Sequence, residues 1–357
     1  MRRHIIPEIQ FIVVAIAVTV AMFPPGPPFV ERWFADGAYL SLQSAATSLS
    51  NRVSLPLFDL AIIVVSIAML AAWTFWITRA RRTRSFRPVV RGAAGTITTA
   101  AFVYLWFLVL WGFNYGRPPL ESVLAYDAAR VTPLAVRALA EQAVREANGT
   151  YSAAHAAGFP AIAETPRALA DALHAVEKEL GRVRPTVLAV PKRSWLSPFF
   201  RASGVSGMVA PFFLETLINP DLTGPERPAV LAHEWAHLSG FAPESDASYV
   251  GLLAALRADP ASQYSAWLEL VSEAASQLQP VTQRLVLAPL DPGPRADQDA
   301  IRQRLQALVR PVERAAWNTY DQMLKSQGVE DGVRSYSRVV QLLIGTNALA
   351  AAPADRP

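Results

Sequence analysis

The stretch Thr223-Gly-Pro-Glu-Arg-Pro-Ala-Val-Leu-Ala-His-Glu-Trp-Ala-His-Leu-Ser-Gly240 reads as one short helix with a start and a stop of its own. Thr223 and Glu226 stand as in a capping box, Ala229 to Ala232 open an apolar run, and Gly240 ends it. Inside the run lies His233-Glu-Trp-Ala-His237, an HExxH sequence. On a helix, residues i and i+4 share a face, so both imidazoles can bind one Zn²⁺. Glu234 then stands beside a water on that metal as general base. Two His and a Glu on an apolar helix are costly to bury without a common purpose.

A catalytic zinc takes a third protein ligand and keeps one position open. His4, at the N-terminal end, and His155 and His174 lie upstream with no supporting pattern, and the latter two read as surface residues. Carboxylates just past the Gly240 turn fit better. Glu244 and Asp246 both lie there, at the start of the next helix. One of them completes a His₂-carboxylate site, and the other is an acid favoured by the helix dipole.

Upstream, the chain changes character. Of its 357 residues, 52% are hydrophobic and only 17% charged, against about 25% charged in an ordinary soluble chain, which argues for membrane segments and against disorder. Three apolar runs carry the excess: Ile5 to Phe23, Leu60 to Ile77 and Gly92 to Phe113. The first is about 28 Å long as a helix, close to the roughly 30 Å hydrocarbon core, and Pro24-Pro25-Gly26-Pro27-Pro28 after it is no cleavage site, so it reads as a retained anchor. Between the second and third runs lie Arg79, Arg81, Arg82, Arg84, Arg87 and Arg91 with no acid, so this loop is expected in the cytoplasm. The N-terminus is then also inside, and three spans put residues 114–357 outside.

The net charge of +4 does not signal nucleic acid. Residues 1–113 hold ten Arg and four acids, whereas residues 114–357 hold 23 basic and 25 acidic residues, so the basicity sits beside the membrane segments. With no Cys there are no disulfides, thiolate metal sites or cysteine nucleophiles. In the loop 24–57, Phe34, Ala38, Leu42, Ala45 and Leu49 recur at helical spacing, as for a piece lying on the membrane or packed on the outer domain.

The fold expected is a mostly α membrane protein: a membrane domain (1–113) with three transmembrane helices, then an α+β zincin-like domain (114–357) with a small sheet. In the outer domain, Thr132-Pro133 starts a helix that runs to Asn148-Gly149, and residues 166–181 form another, stopped at Gly181. Thr186 to Val190 reads as a strand, and Gly204 to Asn219 as a hairpin with its second strand at about Phe212 to Ile218. Residues 225–239, 243–257, 263–278, about 296–325 and 332–345 read as helices, with a loop at Pro289 to Pro294.

Glu244-Ser-Asp-Ala247-Ser248 resembles the E-x-x-A-D/N segment of gluzincin peptidases. That resemblance implies Glu244 as the zinc ligand and Ser248 as the residue that orients a ligand His, although Ser248 departs from the usual Asp or Asn. The chain also resembles, over nearly its whole length, an uncharacterised bacterial family of three-span membrane proteins with an outward zincin-like domain, a domain-of-unknown-function family. The matching residues are Trp111-Gly-Phe-Asn-Tyr115, Gly204 to Asn219 with Pro211-Phe212 and Glu215, His233 to His237 and Gly240-Phe-Ala-Pro-Glu244. Near the C-terminus they continue with Tyr320, Leu324-Lys325 and Gly332-Val-Arg-Ser-Tyr336; Leu238 and Ser248 depart from the family's common HQ and EAN residues. The resemblance implies a zinc metallopeptidase. In zincins an edge strand binds the substrate backbone, and Phe212 to Ile218 is the expected one, with Phe212, Phe213 and Glu215 against the substrate. Tyr336, Arg334 and Tyr320 are candidate donors to the developing oxyanion, with Tyr336 counted as catalytic. The expected activity is peptide-bond hydrolysis at the outer face of the bacterial cytoplasmic membrane, with Zn²⁺ as cofactor and a peptide or protein as substrate. The alternatives are a cell-wall peptide amidase and a non-catalytic zincin-fold protein that binds a partner; an intact Glu234 speaks against the last, because zinc binding alone does not need it.

Overall fold

The computed structural model describes residues 2–330, 332 and 338–349, with side chains from residue 8 onward. Two helices, Leu57–Thr83 and Arg87–Leu110, are long and apolar enough to cross a membrane. They contain the expected runs, but the second ends at Leu110, short of Phe113. Trp111 leaves helical geometry there (φ −145°, ψ −53°), and Gly112–Gly116 continues as a 3₁₀ turn. The pair turns back at Arg84, so the start of the first and the end of the second lie at one side. Ile63, Ile67, Leu70 and Phe102 stand exposed along them, as a lipid-facing surface requires. A third helix, Arg2–Met22, packs along Arg87–Leu110. Its part from Glu8 is long enough to cross only if joined to Pro27–Asn51, from which it bends by 114°, so the chain has two or three membrane-length helices.

The segment after that bend corrects an expectation. It is helical, as π-helix over Val30–Ala38 and α-helix over Tyr39–Asn51, but its apolar periodicity does not mark the buried face. Phe34 is buried, yet Ala38 and Ala45 are exposed and Leu49 is 62% exposed. The buried stripe is Tyr39, Gln43, Thr47 and Ser50. Tyr39 donates to the Leu238 carbonyl (2.8 Å), Gln43 to that of Val187 (2.7 Å) and Thr47 to that of Leu214 (2.8 Å). This stripe also explains why Thr186 to Val190 is not a strand. The Val187 N–H donates to Gln43 Oε1 (3.3 Å) and the Val190 N–H to Asn51 Oδ1 (2.9 Å), so helix side chains stand where a neighbouring strand would.

The ladder begins two residues later. Strands β1 (Lys192–Arg193), β2 (Gly207–Ala210) and β3 (Glu215–Ile218) form a mixed sheet in the order β1-β3-β2. β1 runs parallel and β2 antiparallel to β3, with Ala210 opposite Glu215 and Gly207 opposite Ile218. The expected strand from Phe212 starts at Glu215 instead, because residues 211–214 make the hairpin turn, with Leu214 at φ +49°. β3 is central, so the edge beside the helix that carries His233 and His237 is β2.

Glu215 is fully buried on that central strand. It pairs with Lys192 Nζ (2.8 Å) and accepts the backbone N–H groups of Leu57 (3.2 Å) and Phe58 (2.7 Å). A carboxylate from the sheet thus caps the N-terminus of a membrane helix, where the dipole favours it. Removing one partner of a buried ion pair strands the other and costs about 3–5 kcal/mol. Lys192→Met should therefore lower the thermal midpoint of the full-length protein far more than a surface exchange such as Lys178→Met.

The rest is helical. Pro133–Ala157 and Pro260–Ser276 pack along each other, and Arg227–Leu238 lies against Glu244–Leu256. Thr132 caps Pro133–Ala157 as expected, but the helix passes through Asn148-Gly149, because Ala147, Thr150 and Ala154 continue its buried stripe. The stretch 296–325 is two helices, Pro292–Leu305 and Arg310–Ser326. Pro311 lacks the N–H that a continuous helix needs and sits in the first turn of the second. The helix Pro280–Leu287 was not expected, and of 332–345 the described helix is Arg338–Gly345.

Candidate metal centre

The helix Arg227–Leu238 carries His233 and His237 on one face, and the corner at Gly240 returns the chain so that Glu244 opens the next helix beside them. Gly251 lets the two helices close: a Cβ there would stand 2.7 Å from the His233 nitrogen. Both Nε2 atoms lie 3.2 Å from the same Glu244 oxygen, Oε2. His233, His237 and Glu244 are the group of described side chains whose donor atoms all lie within 4.8 Å of one another and could hold a metal ion.

The outer nitrogens fix the rings. His237 Nδ1 lies 2.9 Å from the Phe241 carbonyl, which can only accept, so Nδ1 carries a proton and Nε2 is the atom turned to Glu244. His233 Nδ1 lies 3.1 Å from Ser248 Oγ, so Ser248 stands where the gluzincin resemblance expects the orienting residue. Tyr320 donates to the other Glu244 oxygen, and Trp111 stands edge-on to His237 at 5.9 Å. Two imidazole nitrogens and a carboxylate oxygen thus converge on one point, a donor set that suits a bound cation. Burial alone would push Glu244 up, but the charges and hydrogen bonds of His237 and His233 hold it well below the usual carboxylate range. Burial likewise works to lower His233, and Glu244 and Glu234 outweigh it and hold it at about 9.

Glu234 is buried next to this cluster, and burial pushes it up from the usual carboxylate range. Its Oε2 has no hydrogen-bond partner. A Cβ at position 207 would sit 2.6 Å from its Oε1, so β2 can approach Glu234 this closely only with glycine there.

Asp246 is turned elsewhere. Its carboxylate accepts from the Leu120 N–H (3.3 Å) and the Ser245 hydroxyl (3.1 Å), and burial pushes it up to about 6. Glu215 has no open side for a substrate, since every neighbour named above is structural. Phe212 stacks on Phe58 (6.0 Å), tilts against Phe107 (6.3 Å) and accepts from Trp106 Nε1 (3.1 Å), and Phe213 belongs to the same turn. Phe212 and Glu215 therefore anchor the sheet on the membrane-length helices, because the hairpin turns at 211–214 rather than beginning a strand there. Tyr336 and Arg334 lie outside the described residues. His155 bonds Asp297 (2.8 Å) and His174 the Thr186 carbonyl (3.0 Å), both away from the cluster.

A cavity of about 1120 Å³ opens beside the cluster. Its lining includes residues that sequence reasoning missed: Phe58 and Phe107 from the membrane helices, and Glu269 and Glu273 on Pro260–Ser276. Burial, then the charge of Glu273, pushes Glu269 up to about 7. A signal existed for these two, since Ser265, Glu269, Ser272 and Glu273 fall on one face of an otherwise apolar helix.

Fold and site together define a mostly helical protein with two or three membrane-length helices, a small mixed sheet and a His–His–Glu cluster beside a buried glutamate. The chain belongs to the family described as protein of unknown function (DUF3810), which matches residues 34–344. No curated protein and no solved structure matches it significantly.

Proposed function

We propose that the protein is a membrane-anchored zinc metallopeptidase acting at the outer face of the bacterial cytoplasmic membrane. The observation that carries this reading is the convergence of His233 Nε2, His237 Nε2 and Glu244 Oε2, with the unpartnered Oε2 of buried Glu234 beside them. Two nitrogens and one carboxylate oxygen suit Zn²⁺ with an open position. Bound there, Zn²⁺ supplies Lewis acidity that polarises a carbonyl and acidifies a water. Glu234 takes the proton of the attacking water and passes it to the leaving amine as the C–N bond breaks. The β2 edge, at Gly207 and Val209, aligns an extended peptide past Glu234 through its free peptide groups. Tyr320 holds Glu244 in place. Purified full-length protein should hydrolyse unfolded casein, lose that activity to a chelator and regain it with zinc. A zinc-loaded protein inert toward casein and peptide libraries would remove the proposal.

The orientation belongs to the same reading. The start of Leu57–Thr83 and the end of Arg87–Leu110 adjoin the metal cluster, and the Arg79–Arg91 loop is at the opposite end. We read Arg2–Met22 as the third span. An alkaline phosphatase fused to the C-terminus should be active and a GFP fused there dark; the reverse would turn the protein over.

A further inference from the structure

The metal cluster sits on the ends of the membrane helices. Trp111 directly follows the helix Arg87–Leu110, and its ring meets His237. Phe58 in the first turn of Leu57–Thr83, Phe107 in the last turn of Arg87–Leu110, and Tyr115 line the same cavity as His233 and Glu234. The hairpin turn at 211–214 rests on those ends, through Trp106 to the Phe212 carbonyl and through Phe58 and Phe107 to its ring. Tryptophan at the end of a span marks the headgroup level, so Trp106 sets that turn at the membrane surface.

From the turn, β2 leads straight to Glu234. Ala210 and Ser206 accept from Leu214 and Asn219 across the hairpin, so the alternation of the ladder aims the peptide groups of Gly207 and Val209 at the free edge. Gly207 lies against the Glu234 carboxylate. β2 has four residues, and at about 3.3 Å per residue an extended chain covers the distance from the turn past Glu234 in about 4–6 residues. The cavity walls at the membrane end are aromatic, and the wall along β2 offers backbone groups. One end of the groove therefore suits an apolar segment leaving the bilayer, and the other an extended polypeptide.

Resting on the peptidase reading above, we infer that the substrate is a membrane-tethered polypeptide, cut in the juxtamembrane stretch within about 4–6 residues of the bilayer surface. Hydrolysis adds water across one peptide bond and frees the distal part as a soluble product, leaving a short stub on the anchor.

The test uses full-length zinc-loaded protein in phosphatidylcholine vesicles with a randomised peptide segment on a transmembrane-helix anchor. A Gly-Ser spacer of about 4 or about 25 residues separates segment from anchor. Concentrating enzyme and substrate on one membrane favours both equally, so the ratio between spacers reports the geometry. Effective concentration falls with roughly the −3/2 power of linker length, which predicts about a 15-fold loss with the long spacer. Equal cutting at both spacers, or cutting of the untethered library at the tethered rate, would overturn the inference and leave the peptidase reading standing. No cutting of any library, or cutting that survives Glu234→Gln, removes both. Release of fatty acid or headgroup from vesicle lipid with no peptide cut would give the cavity to lipid and overturn the assignment.

Discussion

Glu234→Gln should leave the zinc content unchanged and lower peptide hydrolysis by about 10²–10⁴-fold, the usual worth of a positioned general base. The two effects separate because Glu234 touches none of the three converging ligand atoms. Glu234 packs against Gly207, and the amide keeps the same shape in that space. Gln has the shape of Glu, so the edge strand keeps its packing while the proton acceptor is lost. Zinc analysis and casein or peptide hydrolysis on the same preparation give both numbers. Full activity in the variant would refute the proposed mechanism, whatever the metal content.

The second large effect divides two acids that are neighbours in sequence. Glu244→Ala should abolish stable zinc binding, as should His233→Ala or His237→Ala, since a catalytic site has only three protein ligands to lose. Asp246→Ala should keep the metal. The Asp246 carboxylate accepts from Leu120 and Ser245, on the side away from the imidazoles. Ser248→Ala lies between these extremes, because residues that orient a ligand ring typically contribute about 10–100-fold in metal affinity. Titration of each variant against a competing chelator ranks them. Metal retained by Glu244→Ala and lost by Asp246→Ala would move the ligand two residues along the helix.

What the sequence made legible follows from how local each signal is. His233, His237 and Glu244 are close in the chain, and their helix, turn and next helix are each announced by nearby residues. The long apolar runs are equally local. The choice between Glu244 and Asp246 by spacing alone was open, and what separates them in space is Leu120, over a hundred residues upstream. The burial of Gln43, Thr47 and Ser50 was illegible for a different reason. Periodicity finds a buried face by its apolar side chains, and this face is buried by hydrogen bonds to Val187 and Leu214. Glu215 looked available for substrate because its partners Lys192, Leu57 and Phe58 come from two distant parts of the chain. The edge strand was misplaced because Phe212 and Phe213 have strand propensity, while the hairpin needed residues 211–214 for its turn and set the Phe212 ring on the membrane-length helices.

The polar stripe of Tyr39–Asn51 also sets a timetable for biosynthesis. Gln43 waits for Val187, 144 residues later, and Thr47 for Leu214, 167 residues later. At a synthesis rate of about 5–20 residues per second, that helix waits roughly 10–30 s before its partners exist. Both later membrane helices insert during the interval, while the buried amide and hydroxyl groups are still hydrated and the neighbouring apolar side chains are uncovered. Assembly of this unit thus comes late and joins the beginning of the chain to its middle. A nascent chain stalled before residue 187 should be cut readily by protease in this helix, and one released after residue 219 should resist.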